Sequence, residues 1–149
     1  MPNWCNNTLH VIGFEDEGEI ETFLEEVGDE RSPFSFARIV PLPCDGHDNF
    51  VAYEIWGTKW EPTDVDFTDR YTDRVVFDFL TAWSPPLPVI GALSVRFPHL
   101  RFVLRYAEYG IQFAGEAHYT EGKELYHNEY TPEQDIFGYR GFVRAHFFR

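Results

Sequence analysis

The residue types best able to do chemistry gather in one stretch, Tyr53-Glu54-Ile55-Trp56-Gly57-Thr58-Lys59-Trp60. It sets one of only two lysines between two of the four tryptophans. Indole faces stack on a base, a sugar or a peptide, and an ammonium meets a phosphate or carboxylate. A second motif, Thr81-Ala82-Trp83-Ser84-Pro85-Pro86, follows one strand later and brings Trp83 within reach. Glu54 and Glu108 are the carboxylates that could pair with Lys59. The ligand-binding group expected from sequence is therefore Trp56, Lys59, Trp60, Trp83 and Glu108. A structural reading stands beside it. Trp56 and Trp83 could be core aromatics, with Lys59 lying over a ring or paired with Glu54 or Glu108. The Gly, Thr and Pro residues around these tryptophans are those of a loop, where binding groups concentrate.

Two further groups could do chemistry. If helices cover one sheet face, His10, Asp78, Arg105, Glu116 and His118 line the other. Acid, base and arginine together can transfer protons, and the same residues can equally form cross-strand charge pairs on a wet face. An RNA-reading sheet needs exposed stacking aromatics at the centre of that face, and Trp4 alone offers one. In the other group, a hairpin turn over 121–124, with Gly122 first in a type II′ pair, sets Tyr119 opposite Tyr126 and His118 opposite His127. Two histidines are too few for a metal, and Glu116 or Glu129 would have to complete the set. His118-Tyr119-Thr120 matches the H-x-T unit of two-histidine phosphoesterases, which need two such units, and there is one. Nucleophile-elbow, Walker, zinc-protease and dinucleotide fingerprints are all missing. No catalytic residue, metal or cofactor is assigned.

The chain has 149 residues, the size of one compact domain that needs no staples. Aromatics make up 18 %, more ring surface than a small core hides, so some rings should line a groove. Net charge is −13, from 12 basic and 25 acidic residues. A phosphate-neutralising protein would show a basic patch, and its lack disfavours general nucleic-acid binding. The acidic balance suits solubility or a basic partner surface. The first residues lack a signal-peptide pattern and no run is long enough to span a membrane. With Cys5 and Cys44 in no zinc or redox spacing, the expected setting is cytoplasmic, with reduced thiols and no membrane partner.

The elements follow from periodicity. Residues 4–12 alternate as a strand, with Leu9 and Val11 on the core side and His10 opposite. Residues 15–30 hold nine carboxylates, yet Ile20, Phe23, Leu24 and Val27 form a helical stripe, stopped at Gly28. That helix reads as a solvated acidic face or as an acidic docking surface. Residues 34–63 read as an inserted loop with an extended aromatic segment. Residues 64–67 and 74–83 are strands separated by a polar turn at 69–73. Prolines at 85, 86 and 88 open a helix, with Ser84 as its cap and Ile90, Leu93 and Phe97 on its buried side. Strands at 100–108, 111–120 and 124–130 follow. The expected fold is α+β: a ferredoxin-like βαββαβ antiparallel sheet with two helices on one face, plus an added C-terminal hairpin. The domain is expected over 1–130, with a helical or extended tail at 131–149 that docks on the domain or on a partner.

Four ordered motifs resemble a known family. They are Asn3-Trp4-Cys5-Asn6-Asn7-Thr8-Leu9; Trp56-Gly57-Thr58-Lys59-Trp60; Thr81-Ala82-Trp83-Ser84-Pro85-Pro86-Leu87-Pro88-Val89-Ile90; and Tyr106-Ala107-Glu108 through Phe113-Ala114-Gly115. Together they resemble the YubB ferredoxin-like domain family, also called Api92-like proteins, a domain of unknown function in bacteria, phages and plasmids. The resemblance spans about residues 1–130 and departs at Tyr109-Gly110, where the family has Pro-Gly. It implies a ferredoxin-like fold and a mobile-element setting, and no reaction. The leading functional expectation is a non-catalytic module that binds a small ligand or a protein. The alternatives are an enzyme acting on a small phosphorylated or nucleotide substrate at the Trp/Lys59 cleft, and an acidic inhibitor of a nucleic-acid-binding protein.

Overall fold

A computed structural model describes residues 2–70 and 73–148; the middle of the expected 69–73 turn and the last residue of the tail lie outside the described residues. The strands are β1 (Trp4–Ile12), β2 (Thr63–Arg70), β3 (Arg74–Ala82), β4 (Arg101–Glu108), β5 (Phe113–Thr120) and β6 (Lys123–Tyr130). The helices are α1 (Glu17–Val27), α2 (Phe36–Ile39), α3 (Asn49–Trp56), α4 (Leu87–Arg96) and α5 (Pro132–His146). The strands form one sheet in the order β2-β3-β1-β4-β5-β6, with every neighbouring pair antiparallel. The first four strands with α1 and α4 are the ferredoxin-like βαββαβ unit, and β5 and β6 extend it beyond β4.

Register puts the apolar alternation on one face. Leu9 stands opposite Phe77 and Leu104, and Val11 opposite Val75 and Phe102. These residues meet Ile20, Phe23 and Val27 of α1 and Val89, Ile90 and Leu93 of α4 in one buried core. α1 starts at Asp16, whose carboxylate accepts from the Glu19 backbone N–H at 2.9 Å. This is the side-chain cap that an acidic first turn favours.

α4 begins without a side-chain cap, at Pro86. Ser84, expected as that cap, instead donates its hydroxyl to the Gly57 carbonyl at 2.6 Å. A helix whose first turn carries Pro88 has fewer orphan N–H groups to satisfy, so the serine is free to tie a distant loop.

The stretch from 34 to 63 is not a plain loop. α2 takes up part of the segment expected to be extended, because a carboxylate from far along the chain caps it. Glu61 accepts from the backbone N–H groups of Phe36 at 2.6 Å and Ala37 at 3.0 Å. α3 starts at Asp48, which accepts from Phe50 and Val51 N–H at 2.9 and 3.1 Å, and ends at Gly57 in the left-handed region (φ 83°).

The terminal hairpin corrects the expected register. Glu121 and Gly122 both have positive φ, 54° and 76°, so the two-residue turn is of the I′ kind and starts one residue earlier. Thr120 pairs with Lys123 and Tyr119 with Glu124; a bulge at Leu125 then sets His118 against Tyr126 and Ala117 against His127. His118 and His127 consequently lie on opposite faces of the sheet. The remaining segment is helical, α5, capped by Thr131 and broken by a kink at Asp135, whose carboxylate accepts from the Gly138 N–H at 2.8 Å; it covers the face opposite α1 and α4. Tyr139 and Val143 bury against Ala107 and Ala114, with Tyr130, Phe142 and Phe147 packed around them.

Candidate functional site

The tryptophan motifs meet at one end of the sheet. The buried Thr58 hydroxyl donates to the Ala82 carbonyl at 2.7 Å, and Ser84 closes on Gly57 from the other side. Trp83 N–H donates to the Asn3 carbonyl at 2.8 Å, which ties the 81–86 turn to the start of β1. The Thr81 hydroxyl donates to the Ser84 carbonyl at 2.7 Å and accepts from the buried Asn7 amide at 2.9 Å. Three sequence motifs are thus held together by hydrogen bonds that are mostly side chain to backbone, a pattern that fixes loops which no sheet ladder reaches.

Lys59, Trp60 and Trp83 come together on the surface of this knot. The Lys59 ammonium lies 4.5 Å from the Trp60 ring centroid and 5.9 Å from that of Trp83. Trp4 joins them, with its ring 6.2 Å from Trp60. Trp60 is steered by its indole N–H, which donates to Asn49 at 3.2 Å, and the Lys59 carbonyl is bonded to His47 at 2.7 Å. Trp83 is 42 % exposed and keeps a positive φ of 70°. Among the described residues Lys59 forms no ion pair. Its charge is met by the π faces of two indoles and by solvent.

Trp56 and Glu108 are placed elsewhere. Trp56 is buried beneath the loop, where its indole N–H donates to the Val40 carbonyl at 2.7 Å and its ring packs edge-on against Phe36 at 5.5 Å. Glu108 is buried beside Cys5 and caps the following turn, accepting from Gly110 N–H at 2.5 Å and Ile111 N–H at 2.9 Å. A carboxylate thus organises the turn at Tyr109-Gly110, where the family has Pro-Gly. Trp4 and Asn49, which complete and orient the surface group, were not in the expected set. Asn49 carries no sequence signal, because its part depends on α3 folding back against the loop.

The second group lies on the α5 side of the sheet. Arg101 donates to His118 Nδ1 at 2.8 Å, so the ring proton sits on Nε2 and is donated to Glu116 at 2.8 Å. Arg105 Nε donates to the other Glu116 oxygen at 2.5 Å. Burial raises the Glu116 pKa, yet the bonds from Arg105 and His118 more than reverse it and hold the carboxyl below its ordinary range. His10 is held below its ordinary value, chiefly by burial and then by Arg105. Both Glu116 oxygens are occupied, so this chain of residues is self-satisfied rather than poised as a base. Asp78 takes the Thr8 hydroxyl at 2.6 Å. Between α5 and β2 the same face forms a cleft of about 530 Å³, lined by Thr8, Asp64, Asp66, Asp78 and His146 among others. Among the described residues no group of three or more His, Cys, Asp or Glu is arranged to hold a metal ion.

On the core face, the Tyr106 hydroxyl reaches across β5, donating to Glu129 at 2.8 Å and lying 2.7 Å from His127 Nε2. This explains where the histidine that does not face His118 goes.

The motifs that converge here also carry the relationship to known proteins. The sequence profile of the ferredoxin-like domain in Api92-like proteins matches residues 55–140, a span that holds both tryptophan loops and all of β2 to β6. The chain belongs to this family. The crystal structure of protein Api92 from Yersinia pseudotuberculosis has the same fold. The likeness has a TM-score of 0.52 and 20 % identity, and it covers 64 % of this chain. It covers 39 % of that chain, so this Api92-like domain corresponds to about two-fifths of the longer protein. No curated protein matches. The match to the family includes the first part of α5, which therefore lies within the Api92-like region together with the hairpin it packs on.

Proposed function

We propose that this Api92-like domain is a non-catalytic binding module, and that it recognises its ligand on the surface formed by Trp4, Lys59, Trp60 and Trp83. The observation that carries the reading is the state of Lys59. Its ammonium rests over two indoles with no ion pair among the described residues, while its own carbonyl is held by His47 and the side chains on either side of it, Thr58 and Trp60, are held by Ala82 and Asn49. A fixed aromatic surface with one unneutralised cation is a preorganised recognition element, because ordering costs are met in folding and not in binding. Trp56 and Glu108 act from beneath and beside it, as packing and as a turn cap. We place the domain in the cytoplasm, a setting consistent with the free thiols of Cys5 and Cys44, and on a phage or plasmid, on the resemblance of its motifs to a family carried by them.

The test follows the four indole N–H resonances of isotope-labelled protein. The probes are phenyl phosphate, benzyl alcohol and benzyltrimethylammonium. Saturable shifts of Trp4, Trp60 and Trp83 with any one probe, leaving Trp56 unmoved and abolished by Trp83→Ala in a variant that melts normally, support the reading. If none of the probes moves these resonances, the surface is not a ligand site.

A further inference from the structure

We infer that the ligand of this surface is a planar ring carrying a single anionic group, an aryl phosphate or aryl carboxylate, and that Lys59 is the displaceable occupant of the ring's place. The inference rests on the binding reading above and adds the ligand's chemistry.

The rings are fixed and the charge is not. Trp60 is held by Asn49 and packed by Trp4, and Trp83 stands on a turn pinned at Asn3 and Ser84. The Lys59 ammonium, at the end of a flexible stem, is held only by ring faces. A ring that stacks on the face of Trp60 covered by the ammonium enters the space that group now fills and pushes it aside. What happens to that charge decides which ring binds.

A neutral ring takes the indole face and offers the ammonium only its own π face, weaker than that of the indole it covers, and no anion. A cationic ring replaces the contact in kind and places two like charges side by side. An anionic ring stacks on the indole while its acid group receives the displaced ammonium in a charge-assisted hydrogen bond. Only the last meets the displaced ammonium with an opposite charge. The number of anionic charges is limited by the rest of the molecule. The chain carries −13, and a polyanionic strand longer than the screening length of about 8 Å meets that field, while a small ring with one acid group brings its charge only to Lys59. A free nucleic-acid strand is therefore a poor occupant.

The same resonances, read by Trp60 and Trp83, decide it. Phenyl phosphate and benzoate are expected to bind about tenfold more tightly than benzyl alcohol, the effect of one partly exposed charge-assisted bond. Inorganic phosphate alone, without a ring, is expected to leave the indoles unmoved. Lys59→Ala erases the preference of acid over alcohol, and Lys59→Arg keeps it. Equal or tighter binding of benzyl alcohol, of benzyltrimethylammonium or of an oligothymidylate strand overturns the ligand chemistry, yet leaves the surface as a binding site. A preference for acid that survives in Lys59→Ala overturns it as well. Silence toward all the ring probes removes the binding reading itself.

Discussion

Gly57→Ala is the sharpest probe of how the tryptophan loop is held. Gly57 sits at φ 83°, and a Cβ built there falls 2.5 Å from Pro88 Cδ and 3.2 Å from the Pro85 carbonyl. Two costs add. A left-handed conformation costs a non-glycine residue about 1–2 kcal/mol. The overlap falls on a proline ring in the first turn of α4, which cannot rotate away, and overpacking of this kind costs about 1–3 kcal/mol. The expected loss is near 3 kcal/mol, roughly 6–12 °C in melting temperature for a chain of this size. Gly46→Ala provides the subtraction. Gly46 has a similar φ of 74° with nothing within 4 Å of the added carbon, so it should show the backbone cost alone. Urea unfolding of both variants, with unchanged m-values, measures the two losses. If both variants lose the same stability, or Gly57→Ala loses less than about 1 kcal/mol, the loop is not clamped against the 84–88 turn and the site's preorganisation falls with it.

A fully buried thiol and a half-buried carboxylate give two other outcomes. Cys5 is fully buried, with its thiol pushed well above the ordinary range by burial, while Cys44 is partly open. A thiol reagent at neutral pH should label Cys44 alone in the native protein and both cysteines in denaturant; rapid native labelling of Cys5 would contradict its place in the core. Glu116 titrates below its ordinary value of 4.5 in the folded protein, so in that window the unfolded chain binds more protons. The stability it contributes is present above about pH 4.5 and is lost as pH falls through the lowered folded value. Glu116→Gln should therefore be the less stable protein at neutral pH and converge on the parent in acid. A gap that stays constant down to about pH 3 refutes the Arg105–Glu116–His118 linkage.

The sheet was legible because alternation survives in sequence. Leu9 and Val11, Phe77 and Phe79, and Phe102 and Leu104 each carry their own inward face, and the helical stripe of Ile20, Phe23 and Val27 needs no partner to be recognised. The insertion was less legible, because α2 is capped by Glu61, twenty-odd residues beyond it, and local propensity says nothing of such a partner. The hairpin turns one residue earlier than its sequence suggests. A Glu-Gly pair adopts the I′ turn only when a non-glycine residue accepts positive φ, and the bulge at Leu125 then shifts the rest of the strand. One residue of register was enough to part His118 from His127, since each step along a strand reverses the face.

At the site the same division holds. Residue types and their clustering in Trp56-Gly57-Thr58-Lys59-Trp60 determined by themselves that a cation would lie between two rings around a glycine, and the four ordered motifs determined the family. Tertiary structure alone decided which of those rings face solvent. Trp56 and Trp60 are equal as sequence, but Trp56 ends a helix whose inner side meets Phe36 and Val40, while Trp60 follows the Gly57 reversal and emerges beside Trp4 and Trp83. Glu108 was equally available to Lys59 on paper, and the turn after β4 claimed it through two backbone N–H groups that had no other acceptor among the described residues. Composition is a property of the chain, but exposure and pairing depend on which groups the fold leaves unsatisfied, and those are set by contacts between segments far apart in sequence.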